Sequence, residues 1–435
     1  MVRHVPGCRT EKFVLFFCVM KYSFPGRRFS MNILKPVTLE HAPALFRIAR
    51  AISTLMFVLP VVVLFYQYKG LTTGDFFLLQ GIFAFAVFVL EVPTGYIGDL
   101  FSRKKVIVAS LFFWCAGYFV WYLFRGFFFV FLGELLFGIA AALLSGTGEA
   151  YVFDVLKKQG KEDSFLKEWG KFNTWSLAGM VFATFTGSII YDRMGPDFTA
   201  LLTVFVAGLS VVLALFLPDV PEVQRVVAQG KSKWQDILDI SKYAATHREI
   251  KWLMLYPATF GTGTLILMWG MQPLMKHAEV PVFLFGVVVG INQFFRMGFS
   301  HFAHGLFHRF KTKGFSLLLF GVLMAGLAAA VALPEVRFRP LVYILLVLVA
   351  FAAASQISLR IVTSSMINHR IRSDERATVL SVSSMFSKAF NGVAMITLKF
   401  MIDGWSLSAT FAVSGLVILT LTGIALAKLL RLKLV

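Results

Sequence analysis

The sequence predicts an all-α integral membrane protein of twelve transmembrane helices in two pseudo-symmetric six-helix bundles. Three observations predict it: the composition, the lengths of the apolar segments and the placement of Lys and Arg. The chain is 58% hydrophobic and 15% charged, with 48 Phe. A soluble chain carries about 25% charged residues, so this one uses lipid as its solvent.

From Leu45 onward the apolar segments are 45–68, 75–97, 105–124, 128–153, 173–192, 198–217, 251–275, 282–308, 315–334, 340–364, 376–402 and 406–428. Each suffices for a tilted helix across ~30 Å of hydrocarbon. Lipid cannot satisfy open backbone groups, so the segments must be helical. Pro60, Pro93, Pro257 and Pro273 interrupt several of them, as membrane helices tolerate.

Lys and Arg set the orientation. Loops on one side, with both termini, hold 32 of the 42, against six in the opposite loops: Lys69, Arg125, Arg193, Lys276, Arg337 and Arg339. This predicts both termini in the cytoplasm of a cell whose inner membrane carries the protein. The net charge of +19 falls in short clusters between spans, which indicates topology rather than a nucleic-acid partner.

Residues 1–40 read as a cytoplasmic tail, the first thirty being alternatively upstream sequence ahead of a start at Met31 or a membrane-surface anchor. The apolar run Phe13 to Met20 is too short to span a bilayer, and no small-x-small cleavage site follows it. Residues 41–217 form the first bundle, 218–250 a cytoplasmic linker with a short amphipathic stretch near 233–245, and 251–435 the second bundle. The halves repeat: Ser300 to Lys311 aligns with Thr94 to Lys105 at a constant offset of 206, with Gly305 in place of Asp99.

Several chemistries lack their residues. Cys8, Cys18 and Cys115 are scattered without CxxC, so neither a disulfide framework nor a thiolate zinc site is indicated. No GxSxG, HExxH, Walker loop or dinucleotide fingerprint occurs in a suitable context. His301, His304 and His308 share a helix face, yet no carboxylate supports a metal there; they read as an interfacial basic face. Neither an enzyme, a cofactor nor a resident metal is expected.

At the junction of spans 2 and 3 stands Gly95-Tyr96-Ile97-Gly98-Asp99-Leu100-Phe101-Ser102-Arg103-Lys104-Lys105. It resembles the Gly-x-x-x-Asp-x-x-x-Arg-(Arg/Lys) loop of the major facilitator superfamily of transporters. Glu91-Val92-Pro93-Thr94-Gly95, followed by Gly146-Thr147-Gly148-Glu149-Ala150-Tyr151-Val152-Phe153-Asp154, is similar to a broad prokaryotic branch of it. The resemblance covers about 40–430. It implies two six-helix halves rocking about a central solute site, and a cytoplasmic latch at Gly95, Asp99, Arg103 and Lys104. Glu149 or Asp154 would supply the acid that pairs with the latch arginine. Glu134 stands where many proton-coupled members carry arginine, and span 5 lacks the Gly-Pro of drug–proton antiporters; both departures weaken a drug-exporter assignment.

Ionisable groups within spans are costly and are functional candidates by default. Glu91 and Glu134 lie in the first half, Arg296 and Lys388 in the second; Arg360 and Lys399 lie nearer the interfaces. One reading lets Arg296 and Lys388 face an anionic solute while Glu91 or Glu134 carries a coupling proton. The alternative is interhelical ion pairs. Asn292, Gln293 and Gln272 are candidate solute-binding polar groups, beside Gln67, Gln80, Trp269 and Gln356. Trp114, Tyr118, Trp121 and Tyr122 read in part as interfacial anchors.

The function expected is secondary transport of a small organic solute by alternating access, coupled to protons, by a monomer in the lipid bilayer. Efflux of amphipathic compounds, or a non-transporting sensor with the same fold, are the alternatives.

Overall fold

A computed structural model describes residues 37–220, 249–359, 363 and 376–432. The expected tail up to residue 36, most of the 218–250 linker and Arg360 therefore lie outside the described residues, as do the surroundings of Gly95 and the side chains of Asp99, His304 and His308. The described chain is all helical. Eight of its helical segments are long and apolar enough to cross a membrane.

The first predicted segment is broken. α1 (Ala42–Ser53) ends in a loop, Leu59–Val61 forms a 3-10 turn, and α2 (Val62–Tyr68) resumes. Pro60 within that turn has no N–H to donate. α3 (Thr73–Leu100) is continuous through Pro93, beside which the Thr94 hydroxyl donates to the Leu90 carbonyl at 2.7 Å. α4 (Arg103–Leu123) follows after a two-residue turn.

The predicted fourth segment is also two helices, α5 (Phe127–Leu144) and α6 (Thr147–Lys158). Gly146 sits between them at φ +74°, a left-handed conformation that glycine adopts without steric penalty. α7 (Phe165–Met194) and α8 (Pro196–Leu215) meet at Gly195, φ +86°.

α9 (Ile250–His277) opens the second half. α10 (Phe285–Ala332) comprises two arms that meet at Lys311, where φ 52° and ψ 176° leave the helical region. Lys311 aligns with Lys105, so this break comes later in the repeat than the turn between α3 and α4. α11 (Arg339–Ala354), α12 (Arg376–Gly404) and α13 (Leu407–Arg431) complete the described chain. Ser406 caps α13, its hydroxyl accepting from the Ala409 N–H at 3.2 Å.

The most extensive contacts between the first half and the second are those of α3 with α12 and α7 with α10, with α2 also touching α9. Small residues let these backbones approach, the usual device where lipid removes the hydrophobic drive between helices. A Cβ on Gly81 would lie 2.9 Å from the Gly392 carbonyl, and one on Gly286 would lie 2.3 Å from the Thr184 carbonyl.

Candidate functional site

The polar groups buried between helices divide into three places. The first is a cavity of about 150 Å³. Trp114, Tyr118 and Trp121 of α4 face Glu134 and Phe137 of α5 across it, with Gln80 of α3 and Trp269 of α9. Glu134 is 3% exposed. Its Oε1 accepts from the Tyr66 hydroxyl and from Gln80 Nε2, the latter at 3.1 Å. Among the described residues no hydrogen bond reaches Oε2, and no cation pairs with Glu134.

Aromatic rings close around this carboxylate. Phe137 lies 4.7 Å from Tyr118, 4.8 Å from Trp121 and 4.9 Å from Trp114 between ring centroids. Tyr66 meets Trp121 edge-on at 5.2 Å. The indole N–H of Trp114 is buried without an acceptor. The reading of this aromatic group as in part interfacial missed this arrangement. A signal was present: positions 114, 118 and 121 recur at helical spacing and so share one face of α4.

The second place is the contact between α3 and α12. Lys388 Nζ donates to Glu91 Oε2 at 2.7 Å, so two candidate charges lie together and each supplies the other's counter-charge. Farther along the same contact, Lys399 Nζ reaches Asp75 Oδ1 at 2.9 Å and Asp403 Oδ2, four residues away on its own helix, at 2.8 Å. Near that end Lys276 also donates to Gln67 Oε1.

The third place is the turn between α3 and α4. Arg103 Nε pairs with Asp154 Oδ2 at 3.0 Å, whereas Glu149 is exposed. Of the two acids expected near Arg103, the geometry thus brings in the one on the inner face of α6. Lys104 is half-buried and makes no such pair among the described residues. Close by, Arg47 of α1 holds Glu168 of α7 at 3.1 Å.

Two of the remaining polar candidates, Asn292 and Gln272, tie helices together. Asn292 Nδ2 donates to the Ala350 carbonyl at 2.7 Å. Gln272 donates to the Leu59 carbonyl and accepts from the Val63 N–H, both at 3.0 Å. Gln293 is buried, and its Oε1 meets no donor. Arg296 is half-buried on α10, one turn beyond Asn292. No group of three His, Cys, Asp or Glu able to hold a metal occurs among the described residues.

The family model described as Major Facilitator Superfamily matches residues 45–386. An uncharacterized MFS-type transporter of Methanocaldococcus jannaschii is 29% identical over 144 residues. That match takes in 32% of this chain and 35% of the relative, so the chain spans about a third of that curated relative's length. Among solved structures, a mutant of the nucleoside transporter NupG superposes with a TM-score of 0.73 at 14% identity, covering 90% of this chain and 100% of the other. A POT family transporter in complex with 5-aminolevulinic acid gives 0.68 at 13% identity, covering 89% and 96%. A bacterial homolog of the human lysosomal transporter Spinster, inward-facing and unoccupied, gives 0.65 at 14% identity, covering 93% and 97%.

Proposed function

The chain belongs to the Major Facilitator Superfamily, and from that premise we propose that it is a proton-coupled secondary transporter that moves a small organic solute by alternating access. The proposal includes twelve spans in two six-helix bundles, 41–217 and 251–435, with both termini in the cytoplasm. On that topology the Asp75–Lys399 contact faces the outer compartment and the Arg103–Asp154 pair faces the cytoplasm. The working unit is a monomer in the inner membrane.

The observation that carries this reading is the double pairing of Lys399. One of its bonds crosses from α12 to α3; the other stays within α12. If the outer ends part, Lys399 keeps Asp403 and is not left as an unpaired charge. Asp75 keeps the Thr72 N–H and, being partly exposed, exchanges its cation for water, so separation costs one charge-assisted bond rather than a buried unpaired ion, which would be far more expensive. A contact of this kind suits a gate that must open and close repeatedly. Glu134 and Glu91 remain the candidates for proton carriage, because an ionisable group at that depth is functional by default.

Reconstitution into proteoliposomes tests the reading. Solute flux across a broad panel is expected to rise with an imposed pH gradient. Lys399→Ala is expected to increase labelling of cysteines placed near Gln67 from outside. Absence of gradient-dependent flux from folded protein, with labelling unchanged in the variant, would overturn it.

A further inference from the structure

The cavity beside Glu134 has a chemistry of its own. Its lining holds one carboxylate, the neutral amide of Gln80, and otherwise apolar and aromatic side chains; neither Lys, Arg nor His is among them. The Glu134 carboxylate receives two neutral donors on a single oxygen. Elsewhere Glu91 pairs with Lys388 and Lys399 with Asp75, while Arg50, within electrostatic range of Tyr118, donates to Ser53 Oγ at 3.1 Å.

We infer that this cavity binds a small organic cation, an ammonium group on a compact apolar body, seated between Glu134 and the rings of Trp121, Tyr118, Phe137 and Trp269. The inference deepens the transport reading and rests on this cavity being the solute site. Ring faces carry negative potential, and Trp is the strongest of the aromatic partners for an ammonium group. A carboxylate in low dielectric adds an attraction that water would have screened. An anion would meet both terms with the opposite sign. The reading of Arg296 and Lys388 as holders of an anionic solute loses half its basis, since Lys388 already serves Glu91.

Size narrows the class. At about 150 Å³ the cavity is below the range of about 300–1,000 Å³ for drug-sized sites. It is still several times the ≈30 Å³ that a water occupies in the liquid. A trimethylammonium group with a short arm suits it better than a large amphipathic cation. The contributing elements, α3, α4 and α5 on one side and Trp269 of α9 on the other, place the site where both halves touch the ligand. The ligand would thereby be sensed by the relative position of the halves.

The test uses the purified full chain in detergent and needs no transport. Benzyltrimethylammonium is titrated while intrinsic Trp fluorescence and the thermal midpoint are recorded. Neopentylbenzene, its uncharged isostere, and phenylacetate are titrated alongside. The cation is expected to bind saturably and about tenfold or more tightly than the isostere, in line with a desolvated cation–π contact beside a charge. Phenylacetate is expected not to saturate. Glu134→Gln retains the shape of the side chain and is expected to lose at least about tenfold in cation affinity, with the ligand-free midpoint kept. Should that variant fail to fold, Trp269→Leu reads the same loss from the other half. Equal affinity for cation and isostere, saturable binding of phenylacetate, or unchanged cation affinity in both variants would overturn the inference. Absent flux with intact cation binding would strike only the transport reading.

Discussion

The carboxamide of Gln272 fills a gap in the backbone at Val63: its Oε1 accepts the Val63 N–H at 3.0 Å, and its Nε2 donates to the Leu59 carbonyl at 3.0 Å. These are the two backbone groups that would bond each other in an unbroken helix, four residues apart. A side chain from α9 has been inserted into the ladder of the first segment, a recognised cause of helix breaks. Gln272, expected as a solute ligand, spends both ends on this tie.

Gln272→Leu should therefore lower the thermal midpoint by several degrees. The substitution leaves one buried donor and one buried acceptor unmet, at roughly 1–3 kcal/mol each. A Leu variant as stable as the parent would contradict the account.

The Glu91–Lys388 pair predicts strong non-additivity. Both side chains are largely shielded, so removing one partner strands the other. Lys388→Met and Glu91→Gln should each reduce stability, and each should reduce flux at least about tenfold if that ion pair positions α3 against α12. The double variant should recover much of the stability loss, with a coupling of about 1–3 kcal/mol. Strictly additive thermal shifts would show that the two charges act independently.

Arg103 gives a discriminating comparison. Asp154→Asn should alter cysteine accessibility at the ends of α3 and α9, because it removes the partner at 3.0 Å. Glu149→Gln, at an exposed position on the same helix, should leave the labelling pattern as in the parent. The reverse result would assign the pairing acid to Glu149.

Glu168 lies in the first turn of α7, outside the apolar segment 173–192. The hydrogen bond from Lys171, with the Arg47 guanidinium, holds its carboxyl below the usual carboxylate range despite partial burial. A group depressed in this way adds stability above its unfolded pKa and loses it as pH falls through its folded pKa. The difference in thermal midpoint between parent and Glu168→Gln should thus be full near neutrality. It should persist at about pH 4.3, the ordinary value for Glu, and vanish on further acidification. A difference already lost by about pH 5 would contradict the depression, being above that ordinary value.

Membrane residence, the positions of most helices and the kinship were legible in the sequence, because each depends on local or additive properties. Apolar length against bilayer thickness finds a helix without knowledge of its neighbours. The junction from Gly95 to Lys105 carried the family resemblance. Breaks in the first and fourth segments were not legible: Pro60 and Gly146 permit a break, but lipid-facing helices tolerate both residues.

Pairing was decided only in three dimensions. Glu91 and Lys388 are 297 residues apart, and hydropathy ranks each as an isolated buried charge. Whether such a charge binds a ligand or neutralises a partner depends on the group opposite, which α3 and α12 bring together through close glycine contacts. The same holds for Trp114, Tyr118 and Trp121. Their spacing put them on one face of α4, but only packing against Glu134 and Phe137 turned that face from a lipid anchor into the wall of an acidic, aromatic cavity.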